Sequence, residues 1–365
     1  MLGVSPAAVG YFVTVVYVGS MIGTVTAGGW VGRFGPIRVS QAGLLLCLLG
    51  LSAAASGWLP AVLVGALILG LGYGPATPAS SFILARAAPP GMLALTFSIK
   101  QTGVPLGTAI AGAAVPALVL ALGWQAAAMA IGVGCAAFAA GLVAVRDRYD
   151  ATRDSKAPVS LGTAFAPLGL IVRDRRLLEL SLVSLVYGGM QITLVAYLVT
   201  FLVDSFGLSL VLAGMVMATS QIASVAARIA WGVFADRVAT RRATLGLLGL
   251  GMGVTAGCAA LAAPSWPLWL LFVFAIAFGA TAVGWNGVFL AEIARRAPPG
   301  RISDATGGSA FFTFLGVVAT PPLFHAVLSL TSSYGATYAL FGLPALVVGL
   351  RLLATATIGR DERHS

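Results

Sequence analysis

Long stretches without a single charged residue constrain this chain more than any other feature. The chain has seven blocks that contain no Lys, Arg, Asp or Glu: residues 1–32, 39–85, 101–145, 180–203, 205–227, 243–291 and 305–350. A helix needs about 20 apolar residues to cross a bilayer, so the longest blocks have room for two spans each. Turn signals lie in the middle of these long blocks, for example at residues 57–60 and 264–267. The blocks therefore predict an all-α, polytopic membrane protein.

Dividing the long blocks at their turns gives eleven membrane-spanning helices. They are predicted near residues 7–31, 40–58, 60–85, 95–120, 123–145, 177–203, 208–234, 243–263, 266–291, 305–328 and 333–350.

The composition excludes most water-soluble classes of protein. Of the 365 residues, 59% are apolar and 9% are charged, and the mean hydropathy is +0.99. A soluble domain carries about 25% charged residues, so a cytosolic enzyme or a nucleic-acid partner is not expected despite the net charge of +10. The three cysteines and two histidines form no metal-binding or catalytic spacing. We therefore expect no enzyme, no metal and no cofactor.

The basic residues predict the orientation in the membrane. Nearly all Lys and Arg residues fall in every second loop: 33–38, 86–91, 146–176, 235–242, 292–304 and the tail 351–365. The positive-inside rule places these loops in the cytoplasm. A multi-pass protein of the cell membrane is predicted, with Met1 outside and Ser365 inside.

The two halves of the chain resemble each other. At an offset of 204 residues, glycines, serines and arginines such as Gly28, Arg33 and Arg38 recur in the second half. At an offset of 209, the segment 85–91 recurs at 294–300. Repeated halves of this kind are typical of secondary transporters, although Gly/Ala-rich helices also resemble one another by chance.

One basic loop carries a family resemblance. The residues that match are Gly232, Asp236, Arg237, Arg241 and Arg242, and they resemble the cytoplasmic loop signature of the major facilitator superfamily. The first-half copy, residues 28–38, keeps its glycines and arginines but has Gly32 where the family usually has an acidic residue. The resemblance implies two six-helix lobes that open a central substrate path alternately to either side.

The resemblance and the repeat together give the domain organisation. An N-terminal lobe is predicted over 1–145, a cytoplasmic linker over 146–176 and a C-terminal lobe over 177–365. The middle of the linker, 159–172, is apolar enough to lie along the membrane surface. The helix at 177–203 has no counterpart in the first half, so the family's first helix is expected to be missing here.

A set of charged residues forms a predicted cytoplasmic gate. Its members are Arg33, Arg38, Asp236, Arg237, Arg241 and Arg242. Asp236 lies just past a helix end, where it can pair across the turn or with a neighbouring helix end when the cytoplasmic side is closed. The simpler alternative is that these charges only orient the protein.

Interrupted helices predict the substrate cavity. Glycines and prolines break the helix at 60–85, and glycines break the helix at 266–291 in the matching place. The polar and aromatic residues near these breaks, or on the helix at 177–203, are candidates for substrate binding: Tyr73, Thr77, Tyr187, Gln191, Trp285 and Asn286. Close helix packing by glycine is the competing explanation.

Lys100 and Arg228 are the only charged residues clearly inside predicted spans. Because a charge within the bilayer costs about 2.5–3.5 kcal/mol on the insertion scale, both are predicted to bind an anionic substrate. Alternatively, both side chains extend to the interface, or Arg228 pairs with Asp236.

The leading function is secondary transport of a small organic solute, most simply an organic anion, with a proton as the candidate coupling ion. A drug efflux antiporter is the alternative within transport, although the stretch 100–107 lacks the Gly-Pro pair of efflux members. A truncated, transport-incompetent membrane protein is the alternative from another class. The predicted partners are the substrate and the lipid bilayer, with no nucleic acid and no obligate protein partner.

Overall fold

The computed structural model describes residues 8–154 and 165–361, and all regular elements in these ranges are helices. In chain order they are α1 Ala8–Phe34, α2 Pro36–Ala55, α3 Leu59–Tyr73, α4 Ala76–Ala87, α5 Leu93–Gln101, α6 Gly103–Leu122, α7 Trp124–Gly141, α8 Val143–Tyr149, α9 Ala166–Arg173, α10 Arg175–Phe206, α11 Leu210–Arg237, α12 Arg241–Cys258, α13 Leu268–Ala282, α14 Asn286–Arg296, α15 Ile302–Thr331 and α16 Tyr334–Asp361. A short 3₁₀ turn, Ala259–Leu261, extends α12.

Within the described residues, eleven segments are long and apolar enough to cross a membrane. The prediction of an all-α polytopic protein with eleven spans is therefore confirmed. Helix α9 overlaps the predicted surface helix at 159–172, and the first part of that prediction, 159–164, lies outside the described residues.

Three of the spans consist of two helices in succession: Leu59–Ala87, Leu93–Leu122 and Leu268–Arg296. The first and third breaks, after Tyr73 and after Ala282, confirm the interruptions predicted from glycine and proline. The second break was not predicted, since 95–120 was expected to be one helix. Its cause is Pro105, which has no N–H to donate to the carbonyl of Gln101 four residues earlier.

Side-chain caps define several helix starts. Ser209 accepts a hydrogen bond from the Leu212 amide (3.3 Å) at the start of α11, and Thr240 accepts one from Ala243 (3.1 Å) at the start of α12. Both hydroxyls satisfy an amide that has no partner within its own helix. The loops before α11 and α12 thus end at defined helix starts.

The chain forms two compact units. Unit 1 consists of Met1–Ala87, Leu106–Ser181 and Ile293–Leu315. In unit 1, α2 and α3 pack closely where both lack side chains: a Cβ at Gly65 would lie 2.5 Å from the Gly50 carbonyl oxygen. A buried cluster of Val31, Val39 and Ala79, with Phe82 packed against it, forms part of its core.

Unit 2 consists of Ala88–Pro105, Leu182–Glu292 and Gly316–Ser365. Its core contains an aromatic cluster around Tyr338, whose ring centroid lies 4.9 Å from that of Phe324 and 5.6 Å from that of Phe278. The Tyr338 hydroxyl donates to the Thr193 carbonyl (3.2 Å), so its polar atom is satisfied within the apolar core. The division into lobes at 1–145 and 177–365 remains a prediction.

Candidate functional site

Arg228 on α11 is buried, with 1% of its surface exposed, and it joins two helix breaks in unit 2. Its Nε donates to the Val283 carbonyl (3.1 Å), and its Nη1 donates to the Gln101 carbonyl. Both acceptors lack an ordinary helical donor. Val283 is the C-cap residue of α13, and Gln101 is the residue whose partner would be Pro105. The guanidinium therefore satisfies two helix ends, where a positive charge is also favoured by the helix dipole.

Lys100 lies beside this junction. Its Nζ donates to Oε1 of Gln101 (2.9 Å), while the main chain of Gln101 accepts from Arg228. Among the residues that the structure describes, no carboxylate lies within ion-pair distance of the Lys100 ammonium. The structure thus brings both predicted cations together on one residue, Gln101.

Four of the predicted polar and aromatic residues also meet in unit 2. Asn286 Nδ2 donates to Gln191 Oε1 (2.9 Å), and the rings of Tyr187 and Trp285 are in edge contact with centroids 5.7 Å apart. The Tyr187 hydroxyl donates its hydrogen bond to the Leu245 carbonyl (2.7 Å) within unit 2. Trp285 Nε1 is buried and has no hydrogen-bond partner within the described ranges.

The remaining two predicted residues lie in unit 1. Tyr73 is the last residue of α3 and is 43% exposed, with its ring centroid 6.0 Å from that of Phe314. Thr77 is half-buried on α4, just past the Gly74-Pro75 break. The substrate-binding role of all eight residues stays a prediction.

Asp236, the acidic member of the predicted gate, caps helix α5. Its carboxylate accepts hydrogen bonds from the main-chain amides of Ala94 (3.1 Å) and Leu95 (2.8 Å), and it pairs with Arg241 (2.9 Å). The carboxylate side chain is 3% exposed. Asp236 therefore pairs with Arg241 and a helix end, and the alternative pairing with Arg228 is not what the structure shows.

The other residues of the predicted gate have different surroundings, and their role in gating stays a prediction. Arg242 donates to the Thr355 hydroxyl from Nε (2.9 Å) and Nη2 (2.7 Å), whereas Arg237 is exposed. Arg38 pairs with Asp150 (3.2 Å), and the Arg33 guanidinium lies 5.5 Å from the centre of the Phe34 ring.

The two copies of the loop motif pack against a helix through their first glycine. In the first half, Gly32 occupies the place of Asp236, and Gly28 lies against Asp304, in the first turn of α15. In unit 2 the equivalent glycine, Gly232, lies against α5, where an added Cβ would be 2.9 Å from Leu95 Cα. The offsets of the internal repeat, 204 and 209 residues, relate these two contacts, so this helix packing occurs in both halves.

Two functional residues were missed from the sequence. Gln101 connects the two cations, and the sequence signal for it is Pro105, four residues later.

The second residue, Asp150, has a fully buried side chain and accepts a hydrogen bond from the Ile37 amide (2.8 Å) at the start of α2. Gly35, with φ of +94°, brings the chain close to this carboxylate. No spacing in the sequence links Asp150 to α2.

Comparison with known proteins supplies the family. The family model of the Major Facilitator Superfamily matches residues 1–321. The chain belongs to the Major Facilitator Superfamily. The resemblance of the basic loops to this family is thereby confirmed, and with its eleven apolar spans the chain is a multi-pass membrane protein.

Two relatives come from Mycobacterium tuberculosis (strain CDC 1551 / Oshkosh). The uncharacterized MFS-type transporter MT3072 is 25% identical over 301 residues, which are 81% of this chain and 66% of that protein. The probable nitrate/nitrite transporter NarK2 is 36% identical over 128 residues, which are 34% of this chain and 31% of that protein. The chain therefore matches just under two thirds of the length of the first relative and about a third of the second.

A solved structure shows the same fold. The proton:xylose symporter XylE, bound to 6-bromo-6-deoxy-D-glucose, superposes with a TM-score of 0.74 at 16% identity, over 96% of this chain and 87% of that chain. At this identity the likeness concerns the fold alone.

Proposed function

We propose that this protein is a secondary active transporter of a small organic anion in the cell membrane. Transport would proceed by alternating access, with lobes at 1–145 and 177–365 that open the substrate path to one side at a time. The family membership and the eleven apolar spans support a transport function. The basic loops support an orientation with Met1 outside and Ser365 inside.

The environment of Lys100 is the observation that carries the anion proposal. Its ammonium contacts the neutral amide of Gln101, next to the buried guanidinium of Arg228. An ammonium such as that of Lys100 is costly inside a span when no counter-charge lies beside it. A carboxylate bound at Lys100 reduces this cost, so the site favours an anion over a neutral or cationic solute.

Arg228 has a second role in this proposal. Its hydrogen bonds hold the Gln101 carbonyl and the end of α13. Trp285 and Asn286 follow directly after this helix end, and the buried Trp285 Nε1 remains available as a donor to a ligand. Arg228 thus contributes charge and positions the break, while Lys100, Asn286 and Gln191 contact the substrate.

The names of two similar proteins bear on the substrate class and the coupling ion. NarK2 is named for nitrate and nitrite, which are anions, and XylE is named as a proton symporter. A proton is accordingly the coupling ion that we propose.

The test is uptake into proteoliposomes of a panel of labelled carboxylates and amines, with and without an imposed pH gradient. We expect at least one carboxylate to accumulate when the gradient is present. Lys100→Gln is expected to lower its apparent affinity by more than tenfold. The control Arg148→Gln removes an exposed arginine that is not part of the site and should transport normally.

Two results would overturn the proposal. Uptake or extrusion of amines alone would favour the drug efflux alternative. Wild-type affinity and rate in both Lys100→Gln and Arg228→Gln would show that the two charges are structural, and the anion proposal would then be wrong.

A further inference from the structure

A basic groove lies at the junction of α9 and α10 in unit 1, and none of the residues proposed to bind substrate lines it. The groove has a volume of about 830 Å³. Four of its lining residues are arginines, Arg173, Arg175, Arg176 and Arg301, and one is acidic, Asp174. The groove is therefore strongly positive.

Asp174 and Arg301 already have partners within the protein. Asp174 accepts hydrogen bonds from the main-chain amides of Arg176 (2.8 Å) and Leu177 (3.2 Å), so its carboxylate caps the first turn of α10. Arg301 pairs with Asp304 (2.8 Å). In the part of the chain that the structure describes, Arg173, Arg175 and Arg176 are exposed, and no hydrogen bond or ion pair involves their side chains.

The groove lies at the N-terminal end of a helix long and apolar enough to cross a membrane. Arg175 is the first residue of the span Arg175–Phe206. Helix α9 is anchored beside it by Ile171, which is fully buried against Gly308 of α15. The apolar side chains of Phe165 and Val172, which directly precede the lining residues Ala166 and Arg173 in the sequence, are 69% and 59% exposed.

We propose that this groove binds the phosphate group of an anionic phospholipid at the membrane surface. Arginine binds phosphate oxygens through two parallel hydrogen bonds, and basic residues next to a spanning helix attract anionic headgroups. A soluble phosphate offers the same chemistry to the arginines. The exposed Phe165 and Val172 favour the lipid, because they have acyl chains to contact only when the ligand is part of a bilayer.

The experiment is a lipid titration of the purified full-length protein in detergent, read by native mass spectrometry. The probes are dioleoylphosphatidylglycerol, dioleoylphosphatidylcholine and inorganic phosphate. We expect the wild-type protein to bind phosphatidylglycerol at least tenfold more tightly than phosphatidylcholine. Each of Arg173→Gln, Arg175→Gln and Arg176→Gln is expected to weaken phosphatidylglycerol binding about fivefold. The matched control Arg148→Gln, an exposed arginine outside the groove, should bind like the wild type.

The outcomes separate the two sources of phosphate. Equal binding of the two lipids, or unchanged binding in all three arginine variants, would overturn the proposal. Displacement of phosphatidylglycerol by millimolar inorganic phosphate would show a site for soluble phosphate, and the lipid assignment would be wrong. The thermal midpoint of each variant is measured in the same detergent, so that a folding defect in one variant leaves the other two to decide.

Discussion

Replacing Arg228 with methionine removes both hydrogen bonds that connect α11 to the helix breaks at Gln101 and Val283. Methionine keeps most of the apolar length of the side chain, so the change acts mainly on the polar contacts. The Gln101 carbonyl then has no helical donor, because Pro105 lacks the N–H that would bond to it. The variant therefore tests whether Arg228 replaces a missing backbone donor.

The number of hydrogen bonds lost sets the expected decrease in the free energy of unfolding. Hydrogen bonds within membrane helix bundles contribute about 0.6 kcal/mol on average and up to about 1.7 kcal/mol each. The loss of two such bonds lowers the free energy of unfolding by about 1–3 kcal/mol. A second change, Pro105→Ala, restores an N–H four residues after Gln101 and supplies one of the two lost bonds. Arg228→Met should therefore cost about 0.6–1.7 kcal/mol less in the Pro105→Ala background.

The assay is a double-mutant cycle, with the free energy of unfolding measured by SDS titration in mixed micelles. Pro105→Ala also changes helix propensity, but this contribution is common to both backgrounds and cancels in the cycle. Arg148→Met serves as the control for losing an exposed arginine and should lie within about 0.5 kcal/mol of the wild type. An equal cost of Arg228→Met in both backgrounds would refute the coupling between Arg228, Pro105 and the Gln101 carbonyl.

Three further predictions concern the gate, the helix packing and the orientation. Asp236→Ala removes the cap of α5 and should lower the free energy of unfolding by about 1–2 kcal/mol, with faster amide hydrogen exchange in the first turn of α5. Gly287→Ala places a Cβ against the backbone of Ser98, 2.6 Å from its nitrogen, and should lower the thermal midpoint in detergent by several degrees. Ser332→Cys, in a version without the three native cysteines, should react with a membrane-impermeant thiol reagent added outside intact cells.

Each of these has a matched control or a contrary outcome. Asp147→Ala removes an exposed acid, with a side chain 84% exposed, and should leave stability unchanged. Gly257→Ala adds a Cβ that meets nothing within 4 Å and should not lower the midpoint. Equal destabilisation by Asp236→Ala and Asp147→Ala would contradict the cap of α5. Equal midpoints for Gly287→Ala and Gly257→Ala would contradict the close contact with Ser98. Labelling of Ser332→Cys only after cell lysis would contradict the predicted orientation.

Much of the fold was predictable because a bilayer imposes its requirement on each segment separately. Every span must be long and apolar enough on its own, so the charge-free blocks predicted the eleven spans that are found in the described part of the chain. The break near Pro75 was predictable for the same local reason, since proline removes a helical hydrogen bond wherever it lies. Pro105 has the same property, and the break beside it was missed because the glycine pattern around it was weaker.

The candidate site was only partly predictable. Lys100 and Arg228 were identified as charges inside spans, and the pairing of Gln191 with Asn286 is in keeping with their selection as polar residues within apolar helices. Gln101, the common contact of Lys100 and Arg228, was not predictable, because this contact depends on where α11 passes the end of α5. A sequence pattern describes the faces of one helix and carries no information about which distant carbonyl that face meets.

Local sequence thus determined the membrane class, the number of spans, the basic loops and the internal repeat, because hydropathy and charge act on each segment independently. Tertiary structure alone decided the partners of the buried charges. Asp150 reaches the start of α2, and Asp236 caps α5. A buried charge is stable only where donors from several segments converge on it, and that convergence exists only after the helices have packed.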